Sequence, residues 1–258
     1  MLRYQYLFSQ LVHRELRQKY KGSLLGVLWY LINPLVLMAL YGVMLGPLLK
    51  AVNIADYPLF ILAGLIVWLF FSQSLLAASV SLVEQSALVS KVRFPRETVP
   101  GATVAVQLVP FFAMLAMLLP VTWVVRGDFN ASVLLLVPLV VCLFAFTLGL
   151  ALMAAALHAY FRDVQPVLTA ALLPLFFVSG VLFRIQTLPG LHSHHWVEPL
   201  LRWVNPIVPF IEAVRSVVYD GSTPALLTAV YVVSAAFVAL AIGIAVFRRL
   251  ERELAVVL

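Results

Sequence analysis

Few side chains in this sequence have the types and spacing that catalysis or metal binding requires. The strongest candidate is a cluster of three histidines, His192, His194 and His195, which no cysteine or carboxylate joins, so we do not expect a metal site. No glycine is followed by a lysine, which excludes a phosphate-binding loop. The acidic residues are scattered and do not form the pairs that acid–base catalysis needs. The sequence therefore predicts a non-enzymatic chain with no cofactor of its own.

Two charged segments have the composition of docking surfaces for another protein. In the first, Pro95 fixes the backbone next to Phe94, and we expect this phenylalanine to be an exposed docking residue, with insertion into lipid head groups as the alternative. The candidate residues of this loop are Lys91, Arg93, Phe94, Pro95, Arg96 and Glu97. The second segment is a tight turn for which plain interfacial anchoring is the alternative, and its residues are Phe161, Arg162 and Asp163.

The elements that must position these segments are long apolar runs. Of the 258 residues, 64% are hydrophobic and 11% are charged, and the mean hydropathy is +1.05. A soluble domain is typically about half apolar and about a quarter charged. A helix that crosses a bilayer needs about 20 apolar residues. Six charge-free intervals are that long: 22–49, 57–83, 98–125, 129–161, 164–183 and 221–247. We therefore predict an all-α integral membrane protein, a single domain over 1–258 with six transmembrane helices.

The distribution of Lys and Arg predicts the orientation of these spans. Six spans put both termini on one side of the membrane, and cytoplasmic segments carry an excess of Lys and Arg. With both termini inside, 12 of the 17 basic residues fall in inner segments. We therefore predict cytoplasmic termini. Because the basic residues lie next to spans, nucleic acid is not an expected partner.

Residues 1–21 have the pattern of an amphipathic helix on the inner membrane surface. Basic residues recur on one face, and Phe8, Val12 and Leu16 recur on the opposite face. Anionic head groups alone would explain the basic face, and docking of a partner is the equally weighted alternative. The candidate interfacial residues are Arg14, Arg17, Lys19, Tyr20 and Lys21.

The outer segment 184–224 is too apolar for a solvated loop and too rich in proline to span. We predict two short helices at about 194–204 and 209–219, which could be re-entrant and close the outer end of the bundle. Glu212 and Arg215 are three residues apart and can pair on one helix face. The candidate residues of this segment are Trp196, Trp203, Asn205, Pro206, Glu212 and Arg215.

Motifs that follow one another along most of the chain resemble the ABC-transporter permeases that export O-antigen polysaccharide and teichoic acid. The first span matches their opening pattern at Arg17, Lys19, Tyr20, Ser23, Leu25, Gly26, Trp29, Asn33 and Pro34. Residues 91–97 with Pro100 resemble the family's Phe-Pro-Arg loop, and residues 161–163 resemble its motif after the fourth span. Asn205-Pro206 with Glu212 and Arg215 resembles its outer segment.

The resemblance implies a homodimer in the bacterial inner membrane, with two copies of a cytoplasmic ATPase that bind ATP and magnesium. The loop around Phe94 and the N-terminal helix would contact the ATPase, and the outer helices would act as a gate. The implied substrate is a glycan on a polyprenyl-diphosphate lipid, exported from the cytoplasm. The absence of charges inside the spans agrees with an external source of energy, since ion-coupled transporters usually place charged groups there.

Within this resemblance, some residues of the spans are candidates for the export path. Most span aromatics should anchor or pack the helices, but a few could stack on sugar rings. The candidates are Trp29, Tyr30, Phe70 and Phe71, with Asn33-Pro34 expected to kink or break the first span. Arg17, Lys19 and Lys21 could attract the diphosphate of the carrier lipid. The alternative is a permease of the same class that exports a small apolar drug or lipid.

Overall fold

The computed structural model describes residues 2–20, 29–45, 54–91, 94–127, 131–185 and 197–257, and all regular structure in them is helical. The described α-helices are α1 (Leu2–Tyr20), α2 (Trp29–Leu45), α3 (Tyr57–Glu84), α4 (Ser86–Lys91), α5 (Thr98–Val106), α6 (Leu108–Arg126), α7 (Leu136–Tyr160), α8 (Val164–Val178), α9 (Val197–Val204), α10 (Val208–Val218) and α11 (Leu226–Val257). A short 3-10 helix, Ala131–Leu135, leads into α7.

Four helical segments are long and apolar enough to cross a membrane, by length and composition: Tyr57–Glu84, Thr98–Arg126, Ala131–Tyr160 and Leu226–Glu251. They coincide with the second, third, fourth and sixth predicted spans. The first and fifth correspond to shorter apolar helices, Leu31–Met44 within α2 and Val164–Val178. The all-helical fold is therefore confirmed, with four long apolar helices among the described residues. Following the predicted topology, we call the end of the bundle at Glu84, Thr98 and Tyr160 the inner end, and the opposite end the outer end.

Helix α3 forms the centre of the bundle. It packs against α2, α5, α6, α7, α8 and α10, and 83% of its most apolar 18-residue stretch is buried. Its sequence is apolar on every side, as expected of a helix surrounded by other helices. In the middle of the bundle, Phe71 of α3 stacks on Phe146 of α7 at 6.0 Å, and Phe210 of α10 lies 4.8 Å beyond.

Helices α7 and α11 share the most extensive contact in the bundle, made possible by glycine. A Cβ placed on Gly243 would overlap the backbone of Gly149 and lie 2.7 Å from its Cα. A Cβ on Gly149 would in turn lie 2.6 Å from the nitrogen of Leu240. Small residues at a crossing let two helix backbones touch, which is a common packing mode in membranes.

Two prolines act differently on their helices. Helix α2 continues from Trp29 through Pro34 to Leu45, so the break that we considered at this proline does not occur. The predicted third span, in contrast, is divided at Gln107 into α5 and α6. This division was not predicted. Pro110 lacks the N–H that would bond to the carbonyl of Val106, which accounts for the change of helix here.

The predicted N-terminal helix is present as α1, but its apolar side packs on protein. Leu11 is buried in a cluster at the inner end that includes Leu82, Val99 and Phe247, and Phe8 packs against its edge. Gln85, at the turn after α3, donates a hydrogen bond from Nε2 to Glu15 of α1. Helix α1 is therefore held against α5 and the end of α3, with its basic side outward.

Candidate functional site

A cavity of about 460 Å³ lies between α2, α3 and the α5–α6 junction. It brings together four of the residues that the sequence assigned to a path or a kink: Trp29, Asn33, Pro34 and Phe70. Its volume is within the range of small-molecule sites, about 300–1,000 Å³. We refer to it as the α2–α3–α6 cavity.

The lining of this cavity combines aromatic rings with carboxamides. Trp29 is 55% exposed, and Phe70 packs edge-on against Phe111 at 5.4 Å. Gln73 and Gln107 add to the carboxamide of Asn33. Neither glutamine is among the predicted site residues, although a polar side chain within a charge-free run was a visible signal.

Of the other two path candidates, Phe71 does not line the α2–α3–α6 cavity. Phe71 belongs to the core, where its ring lies 5.9 Å from that of Trp68 and 6.0 Å from that of Phe146. Tyr30 belongs to α2, but its side chain lies outside the described residues. Phe70 and Phe71 are adjacent in sequence and face different surroundings, because successive residues of a helix point about 100° apart.

The loop at the inner end differs from its prediction at its most prominent residue. Phe94 is half-buried and packs against the inner cluster around Leu11 and Val99, so the exposure that we expected is wrong, and its role in docking stays a prediction. Pro95 caps the start of α5, since its carbonyl accepts hydrogen bonds from the backbone and hydroxyl of Thr98. Lys91 ends α4, but its side chain, like the whole of Arg93, lies outside the described residues.

The charged residues of this loop contact the end of α11. Arg96 donates from Nη1 to the carbonyl oxygen of Glu251 at 2.7 Å. Glu97 pairs with Arg248 at 3.9 Å, where both side chains are substantially exposed. Tyr160, at the end of α7, also donates to this helix end, to the carbonyl oxygen of Leu250 at 2.8 Å. The loop is therefore attached to the last turns of α11.

The second predicted docking segment is the exposed one. Phe161, Arg162 and Asp163 form the turn between α7 and α8, and all three side chains are exposed. Phe161 is 65% exposed, which makes it a large apolar side chain displayed at the inner end. This turn has the character that we had predicted for Phe94.

The structure describes the side chains of two of the candidate residues in the N-terminal segment. Arg14 and Arg17 are exposed on α1. Lys19 and Tyr20 belong to the last turn of α1, but their side chains are not among those that the structure describes. Lys21 lies outside the described residues. The described part of α1 thus presents positive charge on the side opposite Leu11.

At the outer end, the two predicted short helices are present as α9 and α10. The Nε of Arg202 donates to Glu212 at 2.9 Å, joining the two helices. The ring of Trp203 lies 5.2 Å from that of Tyr231 on α11, whose hydroxyl donates to the Trp203 carbonyl. These contacts attach α9 to both of its helical neighbours.

The connection between α9 and α10 is partly buried. Asn205 is buried and donates from its carboxamide to the hydroxyl of Ser179 at 3.0 Å, and Pro206 follows it, half-buried. Trp196 and the histidine cluster lie outside the described residues. Among the described residues, no group of three or more His, Cys, Asp or Glu is arranged to hold a metal ion.

Arg215 is the most buried cation of the site. It is 5% exposed, donates to the carbonyl oxygens of Gly180 and Val181 at 3.0 Å each, and lies 3.6 Å from the centre of the Phe60 ring. Gly64 of α3 makes room for it, because a Cβ there would lie 2.5 Å from Nη2. The structure thus corrects the expected pairing, since the salt bridge of Glu212 is formed with Arg202.

Burial and neighbouring charges together determine the protonation state of Arg215. Its pKa is lowered to about 9, chiefly by burial and also by Arg184, while Asp220, Glu212 and Tyr219 act to raise it. The guanidinium is therefore positive at neutral pH. Arg184 and Asp220 form their own pair at 2.6 Å, and together these groups line an outer cavity of about 210 Å³.

Comparison with known proteins agrees with the resemblance read from the motifs. The family model of the ABC-2 type transporter matches residues 6–219. The O-antigen export system permease protein RfbA of Myxococcus xanthus is 32% identical over 224 residues, which are 86% of this chain and 84% of that protein.

More distant relatives cover nearly the whole chain. A protein of the same name from Klebsiella pneumoniae is 24% identical over 257 residues, which are 98% of this chain and 96% of that protein. The polysialic acid transport protein KpsM of Escherichia coli is 27% identical over 248 residues, which are 93% of this chain and 92% of that protein. With most of its length matched by the family model, the chain belongs to the ABC-2 type transporter family.

Proposed function

We propose that this chain is the permease subunit of an ATP-driven exporter that moves a lipid-linked polysaccharide from the cytoplasm to the outer face of the membrane. The chain is a multi-pass inner-membrane protein of the ABC-2 family, and its relatives are named for the export of O-antigen and the transport of polysialic acid. The cargo that we propose is a glycan on a polyprenyl diphosphate, and both termini face the cytoplasm.

The observation that carries this proposal is the α2–α3–α6 cavity. An exposed indole, Trp29, shares it with the exposed carboxamides of Asn33 and Gln73. Aromatic faces and hydrogen-bonding groups suit a sugar, which has both apolar C–H faces and hydroxyl groups. A small apolar drug or lipid, the alternative cargo, would leave these carboxamides without partners.

The energy would come from a partner, since the chain has no phosphate-binding loop. We propose that two ATPase subunits bind ATP and magnesium and dock at the inner end. The exposed Phe161 turn would meet them directly, and Arg96 and Glu97 would contribute from the neighbouring loop. Helix α1 would hold the edge of this surface.

A second copy of the chain would complete the transporter. Two of the shorter apolar helices present large apolar side chains outward: Val36, Leu40 and Val43 on α2, and Val167, Leu173 and Phe177 on α8. Helix α8, with 15 residues, is too short to cross the membrane easily, and such a helix is a good candidate for contact with protein rather than lipid. We therefore propose that α2 and α8 face the homodimer partner.

The two ends of the path would have different roles. Exposed Arg14 and Arg17, with Lys19, Tyr20 and Lys21 next to them, would attract the diphosphate of the carrier lipid at the inner surface. At the outer end, α9 and α10 would form the gate, with Arg202–Glu212 and Trp203–Tyr231 as its closing contacts.

Affinity purification of the full chain from mild detergent tests the proposal. We expect an ATPase to co-purify at one-to-one stoichiometry, with a rate of ATP turnover that changes on assembly. Intact cells that contain both proteins should display the exported polysaccharide. The same chain with a different C-terminal tag is the control, because it shows whether the tag itself interferes with ATPase binding. A well-folded sample without an ATPase partner would contradict the proposed energy source.

A further inference from the structure

All carboxamides in the interior of the apolar spanning runs converge on one place. Of the Asn and Gln residues in the sequence, Asn33, Gln73 and Gln107 are the three that lie well inside those runs, and each comes from a different segment. All three line the α2–α3–α6 cavity. Helix α2, helix α3 and the α5–α6 junction contribute one carboxamide each, so this is a property of the fold rather than of a local sequence.

Gln107 is buried and has an interaction within the protein, so the need for a polar occupant rests on Asn33 and Gln73. At about 1.5 Å per residue, Gln73 lies roughly 16 Å and Gln107 roughly 14 Å from the inner ends of their segments. A polar group at such depth needs a hydrogen-bonding partner, because lipid offers none. Asn33 and Gln73 are exposed, and within the described part of the chain neither side chain has a hydrogen-bonding partner.

We propose that Asn33, Gln73 and Gln107 form a binding site for an uncharged sugar residue of the exported glycan, in the inner half of the membrane. A carboxamide offers two donors and an acceptor, which matches a hydroxyl group that both donates and accepts. Trp29 and Phe70 provide the faces on which a sugar ring stacks. Among the described residues, no charged side chain lines the cavity, so we expect the site to select a neutral sugar and not the diphosphate of the carrier. This inference rests on the proposed function and assigns the residues that hold the cargo during passage.

The first test replaces the two exposed carboxamides by a side chain of similar size. We expect Asn33→Leu combined with Gln73→Leu to lower surface glycan about tenfold, since two hydrogen bonds are lost. Surface glycan is measured on intact cells by periodate oxidation and hydrazide labelling. The control is Ser234→Ala, which removes an exposed polar group of α11 outside the cavity and should leave export unchanged.

The outcomes separate the inference from the function on which it rests. Wild-type export by the double variant, in cells where the native chain exports, would overturn the sugar site and leave the exporter intact. Loss of export with a normal amount of ATPase-bound complex would support the site. If the native chain exports no glycan together with its ATPase, the proposed function fails instead.

A second measurement does not depend on export at all. In a Cys142→Ser background, a cysteine introduced by Gln73→Cys should react with a membrane-impermeant maleimide added from the inner side. A cysteine introduced by Phe237→Cys, on a part of α11 whose side chain is 74% exposed away from the cavity, is the control that should stay unlabelled. An unreactive Gln73→Cys in an assembled complex would mean that the cavity admits neither water nor a sugar, and would overturn the inference.

Discussion

Two phenylalanines at the inner end lie in different surroundings, although both belong to predicted docking segments. Phe94 lies in a charged loop next to a proline, yet its ring packs half-buried against the inner cluster. Phe161, in a short turn, is 65% exposed. The local sequence could not show which of the two rings is exposed. The burial of Phe94 depends on α1, which is distant in sequence, and on α5, which follows the loop.

The difference in exposure between Phe94 and Phe161 predicts different consequences for their alanine variants. We expect Phe161→Ala to weaken ATPase binding by about tenfold, the typical effect of removing an exposed aromatic anchor, with unchanged thermal stability. Phe94→Ala should instead destabilise the chain by about 2 kcal/mol, less than a fully buried phenylalanine would cost. Co-purification of the ATPase and thermal unfolding in detergent measure the two effects. Full ATPase binding by Phe161→Ala would exclude this residue from the docking surface.

Arg215 shows how one cation can be accommodated among apolar helices. Its hydrogen bonds to Gly180 and Val181 satisfy two carbonyl groups at the end of α8, and the Phe60 ring covers its face. A buried charge needs such partners, and here both terminal nitrogens have one while the buried Nε has none among the described residues. Arg184, which pairs with Asp220, is by comparison 40% exposed in its side chain.

The two arginines should therefore differ in their contribution to stability. We expect Arg215→Met to cost about 3 kcal/mol, because the two carbonyl groups lose their donors in a buried place. Arg184→Met should cost at most about 1 kcal/mol, as for other solvent-screened ion pairs. Thermal unfolding of the purified complex compares them directly. Equal losses in both variants would mean that burial does not determine the importance of Arg215.

At the scale of the elements, the crossing of α7 and α11 depends on the absence of side chains. Gly149 and Gly243 bring the two backbones into contact near the middle of the bundle. We expect Gly243→Val to separate the helices and destabilise the fold by about 3 kcal/mol or more, at or beyond the upper end of overpacking effects. Ala241→Val, an exposed position two residues away, adds bulk on the same helix without touching α7.

Yields of folded chain from membranes, followed by size-exclusion chromatography, distinguish the two valine variants. Only the variant at Gly243 should lose its monodisperse peak. A normal peak for Gly243→Val would indicate that α11 can rotate or shift away from Gly149 at little cost.

The helices themselves were the most predictable elements, for a simple physical reason. A charge-free run of about 20 residues has few alternatives to a helix in a membrane, so the runs at 57–83 and 129–161 located α3 and α7 closely. The division at Gln107 was less visible, because proline within a membrane helix often produces no break at all. Pro34 and Pro110 illustrate both outcomes within one chain.

At the scale of the whole molecule, contacts between distant segments were beyond the sequence. Asn33, Gln73 and Gln107 are polar exceptions within the charge-free runs, but their convergence depends on how the helices that carry them are rotated about their axes. The same holds for Glu212, whose salt bridge crosses to Arg202 on another helix. Spacing within one helix suggested Arg215 because only neighbours on the same helix can be compared in a sequence.

Helix α11 is attached at both of its ends, to Trp203 near the outer surface and to Arg96 near the inner surface. From Tyr231 to Glu251 it extends about 30 Å as one uninterrupted rod. In the proposed exporter, the cavity that would hold cargo is lined by α2, α3 and the α5–α6 junction, and α11 takes no part in it. Mechanical coupling and cargo would therefore use different helices. A movement of the inner loop would be transmitted along α11 to the outer helices α9 and α10 even while a sugar occupies the cavity.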